Sequence, residues 1–152
     1  MSRFVALVSA SMFGCFIASA QASFGPPNAW SSGWGQGVSE YVANNNDGDY
    51  LYIACDPSSP VTMSLNVGEE SYGTYSDKDF SLIIDGQEIE TPYFTGSRVH
   101  ANNFYYVLEQ MRTAETIVGL TSDGIQVELP TKGAAEALPV FPSENFPCRT
   151  EF

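Results

Sequence analysis

The chain has 152 residues, and 18 acidic side chains against 6 basic ones give it a formal net charge of −12. That balance argues against nucleic acid and against anionic membrane surfaces, where Lys and Arg supply the attraction. The length favours one domain, and a 13% aromatic content with β-branched residues in short runs favours sheet over helix.

Met1-Ser2-Arg3 carries one positive charge, Phe4 to Phe13 is mostly apolar, and Ala18-Ser19-Ala20 and Ala20-Gln21-Ala22 are overlapping small-x-small triplets. These are the three parts of a secretory signal peptide. They predict a signal over residues 1–22, cut after Ala22 or, as second choice, Ala20. The expected destination is the periplasm or the exterior. The apolar run is short against the roughly 20 residues a bilayer needs, so no stable membrane insertion is expected after cleavage. Gly14-Cys15 offers a rival, lipoprotein reading. Removing residues 1–22 takes away Arg3 and no acid, which moves the net charge from −12 to −13. A basic protein partner or a cation suits such a chain, and so does solubility alone.

Residues 23–37 are rich in Gly, Pro and Ser and read as a flexible arm whose Trp30 and Trp34 pack on the domain edge. A single β-rich domain is expected over 38–152. Val38 to Ala43 and Tyr50 to Cys55 read as strands joined by Asn44-Asn45-Asn46-Asp47-Gly48-Asp49, whose residues tolerate positive φ. Leu51, Ile53 and Cys55 share one face. Val61, Met63, Leu65 and Val67 alternate along the next strand, and Gly68 to Asp77 reads as a polar loop. Phe80 to Ile84 and Gln87 to Glu90 flank Asp85-Gly86, a strong hairpin signal. Tyr93-Phe94 could extend the sheet. Asn102 or Asn103 reads as the N-cap of a helix, with Phe104, Val107, Leu108 and Met111 at helical spacing and Glu109, Gln110 and Arg112 facing water. Thr116 to Leu120 and Ile125 to Leu129 form a further hairpin across Ser122-Asp123-Gly124. Gly133 to Leu138 is a short helix ahead of an irregular tail. The expected fold is mainly β (α+β), a small antiparallel β-sandwich or barrel-like domain with one helix near 102–114.

Cys15 leaves with the signal, so Cys55 and Cys148 remain. Two cysteines in an oxidising compartment pair as a rule, and this pairing ties the tail to a central strand.

The Asp85-Gly86 strand end, the helix from about Asn103 to Ala114, the turn at Asp123-Gly124 and Gly133-Ala134-Ala135-Glu136-Ala137-Leu138 resemble small periplasmic proteins of the invasion-associated locus B family. The cysteine-ending strand Tyr50–Cys55 adds to the likeness. The resemblance spans about half of the mature chain. It implies a β-rich envelope protein without a known active site and transfers no functional residue.

Chemistry-bearing residues are sparse. His100 is the only histidine, and histidine is a common general base near neutral pH. No G-x-S-x-G elbow accompanies it. Metal binding by His and Cys is excluded on count. Asn44 to Asp49 offers oxygen ligands of the kind calcium prefers, but the turn explains the same residues. No cofactor is implied. Acidic pairs stand at Glu69-Glu70, Asp77/Asp79 and Asp85/Glu88/Glu90. The surplus of Tyr and Trp suits an interface, since these rings join apolar area to a polar handle. Tyr72 and Tyr75, beside Glu69 and Glu70, form the expected binding patch for a basic surface. The sequence therefore predicts a non-enzymatic binding protein of the bacterial envelope, of the inhibitor or immunity type, acting on a protein partner or envelope component. A structural, peptidoglycan-associated protein and a hydrolase using His100 or a carboxylate pair are the alternatives.

Overall fold

The computed structural model describes residues 25–152; the signal segment expected over 1–22, its cleavage site and Cys15 lie outside the described residues. Two antiparallel sheets pack around one core. The first is a five-stranded meander: β1 (Ala29–Gly35), β2 (Val38–Asn44), β3 (Tyr50–Cys55), β4 (Thr62–Val67) and β5 (Glu70–Gly73) lie in chain order. The second contains β6 (Phe80–Ile84), β7 (Gln87–Glu90), β8 (Ile117–Thr121) and β9 (Gln126–Leu129), in the order β7-β6-β8-β9. Helix α1 (Arg98–Thr113) connects β7 to β8, and α2 (Ala134–Ala137) follows β9. The domain is thus a small, mainly β sandwich, as its alternating apolar residues predict. Among the described residues no helix is long and apolar enough to cross a membrane.

Strand alternation supplies the core from both sheets. Leu51, Ile53, Met63 and Leu65 from the first sheet join Phe80, Leu82, Ile84 and Ile117 from the second. The apolar stripe of α1, Phe104, Val107, Leu108 and Met111, enters the same cluster. The sheets approach closely at Gly119, where a Cβ would stand 2.7 Å from Leu65 Cδ2.

Cys55 and Cys148 are bonded, across a sequence separation of 93. Cys55 ends β3, the middle strand of its sheet, so the tail is tied to the centre of the fold. Val61 N donates to Arg149 O at 2.7 Å, and Tyr105 stacks on Phe141 with ring centroids 4.0 Å apart.

Several expectations are corrected. The arm expected over 23–37 contains β1, which pairs with β2 from Ala29↔Asn44 to Gly35↔Val38. Trp30 is 4% exposed and its indole N–H donates to Pro130 O at 2.7 Å, which fastens β1 to the segment after β9. Trp34, by contrast, is exposed. The Gly68–Asp77 loop contains β5, because Tyr72 has an apolar place to fill opposite Leu65. Tyr93-Phe94 does not extend the sheet: it sits in a turn closed by Phe94 N to Thr91 O at 3.0 Å. The helix begins one turn earlier than expected, capped by Ser97 rather than Asn102 or Asn103. Glu109 and Arg112 do not simply face water either. Glu109 accepts from Phe141 N at 2.9 Å, and Arg112 donates to Leu138 O.

Candidate functional site

The hairpin β6–β7 turns at Asp85 (φ 49) and Gly86 (φ 84), the left-handed pair that a two-residue hairpin needs. Asp85 is held there by its carboxylate, which accepts from Glu115 N at 2.9 Å and Thr116 N at 2.8 Å. β7 is therefore fixed at the margin of its sheet. Ile89 points into the core, while Gln87, Glu88 and Glu90 are exposed. After β7 the chain turns and enters α1, whose first half runs beside the strand.

Between the two lies an open cavity of about 520 Å³, lined by Gln87, Glu88, Ile89, Glu90, Thr91, His100, Asn103 and Tyr106. The helix contributes residues at positions i, i+3 and i+6, which share one face. Tyr106 spans the groove by donating to Gln87 Oε1 at 3.0 Å. Its walls carry two carboxylates, an imidazole, amides and a phenol. Such a surface attracts cations and donors of hydrogen bonds.

His100 sits in the first turn of α1. Its Nδ1 lies 2.7 Å from Ser97 Oγ, and the same oxygen accepts the His100 backbone N–H at 3.3 Å. This is a helix cap reinforced by the ring. Ser97 does not line the groove, so the Ser–His contact serves the helix end. Phe94 meets the imidazole edge-on at 4.8 Å and fixes its position.

The expected patch of Glu69, Glu70, Tyr72 and Tyr75 is divided by the structure. Tyr72 is 1% exposed and belongs to the core; only its hydroxyl reaches out, to Asp123 Oδ2 at 3.0 Å. Burial and then the Asp123 carboxylate raise that phenol above its ordinary value. Glu70 is paired with Lys78 at 2.8 Å, and this contact holds the ammonium above its ordinary value. Glu69 is exposed. Tyr75 is 93% exposed, with a φ of 68 that non-glycine residues seldom adopt. The other acidic pairs separate as well. Asp79 accepts from the Tyr93 hydroxyl, and burial with this bond raises the phenol strongly; Asp85 is spent on its turn. Glu88 and Glu90 line a cavity with other chemistry-bearing residues. In the Asn44–Asp49 turn, Asn45 Oδ1 accepts from Asp47 N and Asp49 N, both at 2.9 Å, so this oxygen serves the turn. Among the described residues no group of three or more His, Cys, Asp or Glu could hold a metal ion.

Gln87, Asn103 and Tyr106 were not expected as site residues. Asn103 and Tyr106 stand at helical spacing off the apolar stripe, but nothing local joins them to Gln87 or to β7.

Fold and groove together define a small disulfide-bridged β-sandwich with an acidic cleft at one sheet margin. The chain belongs to the YfjT family, whose family model matches residues 28–138. The match takes in every strand and both helices and ends before the cysteine-bearing tail. Neither the curated proteins nor the solved structures yielded a match.

Proposed function

We propose that the protein is an exported, non-enzymatic binding protein of the bacterial envelope that receives a cationic protein partner in the groove between β7 and α1. The supporting observation is the convergence of exposed Glu88 and Glu90 with His100, Asn103 and Tyr106 on one cavity. The net charge, −12 for the full chain and −13 once residues 1–22 are removed, adds a long-range field that would speed encounter with a basic surface. The signal-like N-terminus, the disulfide and the resemblance to periplasmic proteins support export.

A basic hydrolase such as a lysozyme is a suitable probe, because an inhibitor of the immunity type would meet one in the envelope. Titration calorimetry across a salt series should show affinity that falls as salt rises. Glu88→Gln with Glu90→Gln should weaken it by about tenfold. Salt-insensitive binding, or binding unchanged by the pair, would remove the groove from the account.

The turn carrying Tyr75 supports a second contact surface, with Glu70 at the start of the adjoining strand and Glu69 in the turn before it. A fully exposed ring held at positive φ suits an interface better than a core. Loss of affinity from Tyr75→Ser, with none from the Glu88 and Glu90 changes, would favour this surface over the groove.

A further inference from the structure

We infer that the groove takes an extended peptide segment with basic residues at alternate positions, added as a further strand to the outer edge of β7; this rests on the groove being the binding site. β7 is the terminal strand of its sheet and pairs only with β6. Its register is Ile84↔Gln87, Ile83↔Glu88, Leu82↔Ile89 and Ser81↔Glu90. In a two-residue hairpin the pair that closes the turn exchanges both backbone hydrogen bonds, and the pattern then alternates. Gln87 and Ile89 therefore bond to β6. The backbone N–H and C=O groups of Glu88 and Glu90 point away from the sheet, and no other described backbone group pairs with them.

The two residues with outward backbone groups are thus the two that carry the groove's carboxylates. An incoming strand would find its ladder and its charge partners at the same positions. Residues opposite one another on neighbouring strands project to the same face. Side chains opposite Glu88 and Glu90 would accordingly lie beside those carboxylates, and Lys or Arg fits there. The intervening side chains would turn to the face of Ile89.

The dimensions agree. Four strand residues extend about 13 Å, and helix residues 100 to 106 rise about 9 Å beside them. The helix thus flanks about two-thirds of the edge and leaves a slot there rather than a flat margin. A short, acidic edge also discourages pairing with other chains. That protection is selective, since it repels acidic strands and attracts basic ones.

The probe is a fluorescent seven-residue peptide of alternating Lys and Thr, followed by anisotropy with the unaltered protein. Strand addition uses the N–H groups of one alternate set only. Methylating the backbone nitrogens of that set should weaken binding about tenfold or more, while methylating the other set leaves it nearly unchanged. Equal effects from the two sets, or no binding at millimolar peptide, would overturn strand addition. Glu88→Gln with Glu90→Gln separates the two levels. If equal methylation effects accompany weaker binding to this variant, strand addition fails and the acidic groove stands. If the variant binds the peptide as tightly as the parent does, both fail.

Discussion

Removing the Cys55–Cys148 crosslink should cost this fold a large share of its stability. The two residues are 93 apart in sequence, and both are buried. In the chain-entropy description, closing a loop of that length in the unfolded chain stabilises the native state by about 4–5 kcal/mol. The double change Cys55→Ala with Cys148→Ala puts no hydroxyl into the apolar core and leaves the tail's other anchors in place. Those anchors are Val61 N to Arg149 O, the Tyr105–Phe141 stack, and the Tyr105–Thr150 hydroxyl contact at 2.9 Å. The loss should therefore come chiefly through the unfolded state. With a urea dependence of about 2 kcal/mol per molar, the unfolding midpoint should fall by about 2 M. Urea unfolding followed by tryptophan fluorescence measures this, since buried Trp30 reports on the edge of the first sheet. A midpoint shift below about 0.5 M would refute the reasoning, because the crosslink would then constrain nothing that the tail's packing does not already hold.

Two glycines in left-handed conformations should respond differently. At Gly73 (φ +106) a Cβ would stand 2.6 Å from the Met63 carbonyl, and Gly73→Ala should cost roughly 2–5 kcal/mol; Gly86 (φ +84) has open space, and Gly86→Ala should cost only about 1–2 kcal/mol in the same urea assay. Trp30→Phe keeps an aromatic ring, removes part of the indole's buried bulk and leaves Pro130 O without its donor, and should destabilise by about 1–3 kcal/mol, with faster amide exchange in β1. Burial, and then the bond to Glu40, push the Tyr52 hydroxyl up to about 12. A folded-state value above the ordinary value of about 10 contributes stability that is complete below pH 10 and is lost as pH rises through 12. Unfolding between pH 10 and 12 should therefore be steeper for the parent than for Tyr52→Phe. Equal slopes would contradict the assignment.

Much of this architecture is legible in the chain, for reasons that differ along it. β3 and β4 announce themselves because Leu51, Ile53, Met63 and Leu65 alternate with polar residues. The β6–β7 turn does so because Asp85-Gly86 supplies two residues that accept positive φ. β1 is hidden by Ser31, Ser32, Gly33 and Gly35, which have little strand preference of their own; its pairing follows from Trp30 finding a pocket and a carbonyl in the segment just after β9. β5 is hidden by the same cause, a single large ring among polar neighbours, and Tyr72 consequently passed for surface. The first turn of α1 lacks the apolar stripe, so only Ser97 marked it. The groove is harder still. Glu88 and Glu90 are visible as an alternating pair, but His100, Asn103 and Tyr106 reach them only because the connection from β7 folds α1 back along the strand. That is a tertiary fact with no local trace.

Backbone amide shift mapping by NMR, with a basic partner protein titrated into the isotope-labelled chain, tests the site most directly. The account predicts that the largest shifts fall on residues 87–91 and on His100, Asn103 and Tyr106, and shrink as salt is added. Shifts centred on Tyr75, or spread evenly over the acidic surface, would contradict it.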